Sequence, residues 1–259
     1  MTEPAVRYFP GRDGLKLACR QVGEGRPLIM VHGFMSSGLL TLPHGPATAL
    51  ADHGYRVILP DLRGHGDSGR PHDPASYPPD VLADDGLALI DWLGLGPGDY
   101  DLGGYSLGGR VVLRLLARGA RPSHAVVGGQ GLDATEPASD RTGGYRRLLA
   151  AVASGAAFES GTPDAFMAQW IADRGGDPMA LSLVLDTFAG TSPAELEQVP
   201  TPTLIVVGDQ DRRGDSAAEL AALLPGGRIA RVPGDHFTAM SAPEFVTAII
   251  SFLGDRSRR

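Results

Sequence analysis

Ser106 stands in the stretch Asp101-Leu102-Gly103-Gly104-Tyr105-Ser106-Leu107-Gly108-Gly109, with Gly104 two residues before it and Gly108 two after. A serine on a tight turn between a strand and a helix takes strained backbone angles that push its hydroxyl into the open. Side chains at the two flanking positions would collide there, so glycine is the residue such a turn needs. The turn also aims the free N–H groups at the start of the following helix toward the hydroxyl, which favours negative charge. That is the setting for an oxygen nucleophile attacking a carbonyl. In a chain with 36 glycines the spacing alone is a weak signal. Its context strengthens it, because an apolar strand pattern precedes the serine and a helical repeat of Val and Leu, Gly108 to Arg118, follows.

A second stretch, His32-Gly33-Phe34-Met35, follows the buried-strand pattern Ile29-Met30-Val31. Gly33 lets the chain turn sharply, so that the Phe34 backbone N–H faces Ser106. With the Leu107 N–H it would form a pair of donors for the oxyanion of an attacked carbonyl, each worth roughly a hundredfold in rate. His32 precedes the turn and is expected to point beneath it as a structural residue. A third stretch, Asp61-Leu62-Arg63-Gly64-His65-Gly66-Asp67-Ser68-Gly69, suits a tight hydrogen-bonded loop bracing the wall of the site, with neither His65 nor Asp67 as a catalytic partner.

These stretches must be held by regular elements. Val6 to Phe9 and Leu15 to Gln21 read as strands of a hairpin joined by Gly11-Arg12-Asp13-Gly14. Short apolar runs at 27–31, 55–59, 100–102, 124–127 and 203–207 read as strands buried on both faces, and 228–232 as a strand near an edge. Helical patterns cover 46–53, 80–93, 108–118, 216–224 and 243–253. Such alternation requires right-handed crossovers and a mainly parallel sheet with helices on both faces. Between Leu132 and Pro200 the rhythm breaks into short helical pieces at 145–152, 164–172 and 178–188. That length is too great for a structureless loop. The division expected is a core of residues 1–131 and 201–259 with a helical cap over 132–200.

Composition sets the class. The chain has 259 residues, 42% hydrophobic and 20% charged, with a formal net charge of −7, ordinary for a folded domain. The acidic balance argues against nucleic acid or an anionic membrane as the main partner. One cysteine, Cys19, excludes an intrachain disulfide and reads as a half-buried structural thiol. The arginines at 256, 258 and 259 read as a frayed end. No stretch reaches the length of a membrane span, and the polar first ten residues point to a cytoplasmic protein. No histidine pair has metal-ligand spacing, and neither metal nor cofactor is expected.

In their order, a His-Gly turn, Asp-x-x-Gly-His-Gly, the serine turn, a helical insert and a late Asp and His, these motifs resemble the α/β-hydrolase superfamily, in the branch with a helical cap after the sixth strand. The resemblance runs from Val6 to Leu253. It implies an eight-stranded, mostly parallel sheet whose second strand is antiparallel, an acid after the seventh strand and a histidine after the eighth. Here the histidine is His236, in Pro233-Gly234-Asp235-His236-Phe237, as base for Ser106. The family pattern Gly-x-x-Asp selects Asp211 from Val207-Gly208-Asp209-Gln210-Asp211, with Asp209 and Asp133 as competitors. Many relatives carry a proline shortly after this aspartate, where this chain has Arg212-Arg213-Gly214-Asp215.

The reaction implied is acyl transfer from a small or medium, largely apolar ester, thioester or lactone to water, by a monomer or homodimer. Phe34, Met35, Tyr105, Phe158, Phe166 and Trp170 are expected around the substrate. Epoxide hydrolases and haloalkane dehalogenases of this fold use aspartate where Ser106 stands, which disfavours those activities; a haloperoxidase-type perhydrolysis remains open. The alternatives are a lyase resembling the pyruvate-eliminating SHCHC synthase of the menaquinone pathway, using Arg110, Arg141, Arg146 and Arg147, a carbon–carbon bond hydrolase, and a binding protein that keeps the fold without catalysis.

Overall fold

The computed structural model describes residues 3–137 and 142–254, the side chains of Pro43 and His44 excepted. Arg141 and the C-terminal arginines 256, 258 and 259 lie outside the described residues. The chain opens with the hairpin strands β1 (Arg7–Pro10) and β2 (Lys16–Val22). It continues through β3 (Arg26–Val31), α1 (Thr41–His44), α2 (Ala47–Asp52), β4 (Tyr55–Pro60) and α3 (Val81–Trp92). Next come β5 (Asp101–Tyr105), α4 (Leu107–Ala117) and β6 (Ala125–Gly128). The helices α5 (Gly143–Ala153), α6 (Pro163–Asp173), α7 (Pro178–Val184) and α8 (Pro193–Leu196) precede the next strand. The chain closes with β7 (Thr203–Gly208), α9 (Ala217–Leu223), β8 (Gly227–Val232) and α10 (Pro243–Gly254).

All eight strands join one sheet in the order β1-β2-β4-β3-β5-β6-β7-β8. β2 runs antiparallel to both its neighbours and the remaining pairings are parallel. This is the eight-stranded architecture the resemblance implies, with β8 at an edge. The period-two alternation of the strands divides the core. Ile29 and Val31 of β3 and Ile205 and Val207 of β7 pack on one face with α3, α4 and α9. Leu28, Met30, Leu204 and Val206 pack on the other with α2 and α10. Cys19 is buried in the first of these layers.

Three of the helices between β6 and β7 start at side-chain caps. Thr162, Asp177 and Ser192 each cap an N-terminus through the side chain, and proline follows each. α5, α6 and α7 bury Leu148, Leu149, Ile171 and Leu181 in a small core of their own, which also takes in Met35 and the flank of Phe34 from the β3 loop.

The loop after β4 braces that β3 loop. Asp61 accepts the Gly38 N–H at 2.7 Å and the Asp67 N–H at 2.9 Å, and pairs with the buried Arg20 at 3.2 Å. Two buried histidines add to it. His32 donates from Nδ1 to the Gly33 carbonyl and accepts the Leu62 N–H at Nε2, while His65 donates to the Arg63 carbonyl and accepts the Met35 N–H. Each accepts at one ring nitrogen, so each must stay neutral to hold its partner. Burial depresses both, His65 to about 3, with the adjacent His32 ring adding to the effect. Beneath them the fully buried Arg63 meets Asp85 at 2.9 Å through both Nε and Nη2, and reaches Asp13 and the Ser76 carbonyl.

Two stability predictions follow from these buried groups. Arg63→Met strands the buried Asp85 carboxylate and is expected to cost about 3–5 kcal/mol by urea denaturation; a loss under 1 kcal/mol would mean the network is dispensable. For His65 the folded pKa of about 3 lies below the ordinary histidine value. Between the two the unfolded chain binds a proton that the folded chain refuses, so stability falls as the pH drops through that window. His65 alone accounts for about 2 kcal/mol between pH 7 and pH 5, and His65→Gln should show a correspondingly shallower acid decline. Equal declines in the two proteins would remove His65 as the cause.

Candidate active site

The residues singled out from sequence come from loops at the carboxyl ends of the parallel strands, where open α/β sheets gather ligands. Ser106 follows β5 with φ 55° and ψ −116°, a strained conformation for a residue with a side chain. The turn is held by the Ser106 N–H to the Gly128 carbonyl at 2.9 Å and by Gln130 Nε2 to the Ser106 carbonyl. A Cβ on Gly104 would lie 2.4 Å from the Gly108 carbonyl, and one on Gly108 would lie 2.0 Å from the Val31 carbonyl of β3. Both glycines are therefore required by backbone packing against backbone.

His236, on the loop after β8, accepts from Ser106 Oγ at Nε2 over 2.9 Å and donates from Nδ1 to Asp211 Oδ2 at 2.7 Å. Asp211, on the loop after β7, is buried, and its other oxygen accepts the Arg213 N–H at 3.0 Å. Asp209 instead turns its carboxylate to the Gly234 N–H at 3.0 Å. Asp235 caps the turn after it, accepting from the Thr238 hydroxyl and from the Thr238 and Phe237 N–H groups, which together hold its carboxyl below the usual range. Tyr105 lies under His236, with ring centroids 5.4 Å apart, and its hydroxyl donates to the His236 carbonyl at 2.8 Å. The phenol is pushed upward by burial first and by the Asp211 charge second.

The β3 loop passes so close that a Cβ on Gly33 would stand 3.4 Å from Ser106 Cβ. The Phe34 and Leu107 N–H groups take part in no hydrogen bond among the described residues. Met35 beside them has φ 55°, with its N–H on His65 and its carbonyl accepting from Trp170 Nε1 at 2.9 Å. That last bond ties α6 to the loop.

A cavity of about 300 Å³ opens over Ser106 and His236. Phe34, Met35, Tyr105 and Trp170, four of the residues expected around a substrate, line it, together with Met167 of α6 and with Leu185 and Phe188, which follow α7. Phe158 and Phe166 do not line it. Phe166 sits on the outward side of α6 and is 61% exposed, and Phe158 packs into the small core of the inserted helices. The sequence reading also missed Tyr145 and Arg213, both in the lining. Arg213 Nη1 lies 3.4 Å from Ser106 Oγ and 3.2 Å from His236 Nε2, and Nη2 donates to the Tyr145 hydroxyl at 3.1 Å. The available signal was the Arg212-Arg213 pair standing where many relatives have proline. Among the described residues no group of His, Cys, Asp and Glu is arranged to hold a metal ion, and no helix is long and apolar enough to cross a membrane.

This arrangement can activate a hydroxyl, hold a negative oxygen against two free N–H groups and shelter an apolar group beside them. Comparison with known proteins agrees with the fold that carries it. A hydrolase from Pseudomonas aeruginosa PA01 superposes with a TM-score of 0.77 over 96% of this chain and 98% of its own, at 24% identity. A non-heme haloperoxidase of Rhodococcus erythropolis is 29% identical over 88% of this chain and 91% of its own length. An AB hydrolase superfamily protein of Bacillus subtilis is 33% identical over 53% of this chain, and the match spans 48%, about half, of that relative. The model of the Alpha/beta hydrolase family matches residues 28–249. The chain belongs to the alpha/beta hydrolase family.

Proposed function

We propose that the chain is a serine hydrolase that cleaves a small or medium, largely apolar carboxylic ester, thioester or lactone through an acyl-enzyme. The observation that carries this reading is the hydrogen-bonded series Ser106, His236, Asp211 at the floor of a cavity with apolar walls. Ser106 Oγ attacks the carbonyl carbon and passes its proton to His236 Nε2. Asp211 holds the imidazole tautomer and steadies the cation that forms. The tetrahedral oxygen takes its hydrogen bonds from the Phe34 and Leu107 N–H groups, and the leaving oxygen recovers the proton from Nε2. Water then repeats the sequence on the acyl-enzyme, releasing the acid and restoring Ser106. Residues 132–200 act as the cap that sets acyl and alcohol size.

Ser106 disfavours epoxide opening by a carboxylate, the chemistry in which an aspartate takes its place. A lyase acting on a carboxylate-rich substrate would need converging arginines. Of those considered, Arg110 lines the cavity, Arg146 is engaged with Asp186 at 2.7 Å on the inserted helices, and Arg147 is outside the lining. Similarity to a non-heme haloperoxidase favours one second reading, in which hydrogen peroxide replaces water at the same acyl-enzyme and releases a peracid.

The test is hydrolysis of p-nitrophenyl esters of increasing chain length. Ser106→Ala is expected to lose at least about a thousandfold in kcat, and full activity in that variant would overturn the mechanism. Asp211→Asn should cost about a thousandfold or more by fixing the wrong tautomer, while Asp209→Asn costs less than about tenfold; the reverse order would move the acid to Asp209.

A further inference from the structure

The cavity holds a charge that ester hydrolysis as such does not use. The guanidinium of Arg213 donates to Ser106 Oγ and His236 Nε2 through Nη1 and to Tyr145 through Nη2. Among the described residues no carboxylate is within ion-pair distance of it. Asp211, two positions earlier, spends one oxygen on His236 and the other on the Arg213 backbone N–H. The other cation in the lining, Arg110, is directed to the Asp133 and Glu136 carbonyls and lies over the Phe188 ring at 5.4 Å. Asp133 lines the cavity as well. Arg213 thus stands between the two reacting atoms and the inserted helices, with its planar fork turned into an otherwise mostly apolar space. A guanidinium in that setting is a receptor for a carboxylate, which it meets with two parallel hydrogen bonds.

We propose that Arg213 is the specificity-determining residue for a carboxylate carried on the leaving-group side of the substrate, so that the substrate class is an ester of a hydroxy acid or phenolic acid. This rests on the serine-hydrolase reading of the same site. The side is set by geometry. Nη1 stands nearer Nε2, at 3.2 Å, the atom that must protonate the leaving oxygen, than Oγ, at 3.4 Å, which takes the acyl carbon, so the guanidinium lies on the departing group's side. There is also a consequence for the dyad. Nε2 has a single lone pair, and Nη1 and the Ser106 hydroxyl both point hydrogens at it. A substrate carboxylate that engages the fork draws Nη1 away and leaves that lone pair to the serine proton. The Oγ–C bond then forms, the proton moves to Nε2, the ester C–O bond breaks, and the proton passes to the departing oxygen. A hydroxy acid leaves with its carboxylate on Arg213.

The experiment compares kcat/KM for 4-acetoxybenzoate with that for its methyl ester, and for phenyl hemisuccinate with phenyl butyrate. The first pair carries or lacks a carboxylate on the leaving group, the second on the acyl group. Arg213→Gln is expected to lower the acid-to-neutral ratio of the first pair by about tenfold or more, with Arg213→Lys restoring part of it and the second pair shifting less. An unchanged ratio in the first pair, or a larger shift in the second, overturns the proposal while leaving the hydrolase intact. No turnover of any of the four, with Ser106 unlabelled by a fluorophosphonate, overturns the hydrolase reading and this inference with it.

Discussion

The backbone of Ser106 is the constraint on which the rest of the site depends. A residue with a side chain held at φ 55° and ψ −116° stores roughly 1–3 kcal/mol, and the fold keeps it there by crowding. β5 arrives fully buried, α4 departs at once with Leu107, Val111 and Val112 buried, and β3 lies against Gly108. The strain presents Oγ to His236 and leaves the Leu107 N–H at the start of a helix, where negative charge is favoured.

Around this turn the parallel sheet sets the loops that matter side by side. Adjacent strands β3 and β5 bring Phe34 to Ser106, and β7 and β8 bring Asp211 to His236. Tyr105 couples the two halves, because it precedes Ser106 on the chain and holds the His236 carbonyl from below. Met35 couples the sheet to the inserted helices in the same way, gripped by His65 on one side and Trp170 on the other. The neutral histidines beneath it show why Asp61 to Gly69 is built as it is. The loop supplies acceptors and donors to the β3 turn from a buried position that water does not reach.

The parts of this arrangement legible in sequence are those where backbone geometry admits few residue types. Gly104 and Gly108 are of that kind. The strand runs were readable because burial on both faces leaves continuous apolar stretches. α1 and α8, four residues each, were too short to show a period. Placement of Phe166 failed for a related reason. Helical spacing gives a face but not which face fronts the cavity, and Phe166 is about 100° of rotation from Met167, which does. The Arg212-Arg213 pair marked the loop as unusual but gave Arg213 no role, because an arginine in a loop ordinarily reads as a solvated charge. Its place beside Oγ comes from the Asp211 turn, whose conformation only the folded chain defines. His236 and Asp211 were singled out only by the order of a known family, since nothing local in either stretch marks out the residue.

The central claim, that Ser106 is a nucleophile activated by His236, is tested most directly by treating the protein with a fluorophosphonate and mapping the adduct by peptide mass spectrometry. The account predicts one equivalent of label on the peptide bearing Ser106, and a much slower reaction in His236→Ala. An unmodified Ser106 peptide, or labelling that proceeds equally without His236, would contradict it.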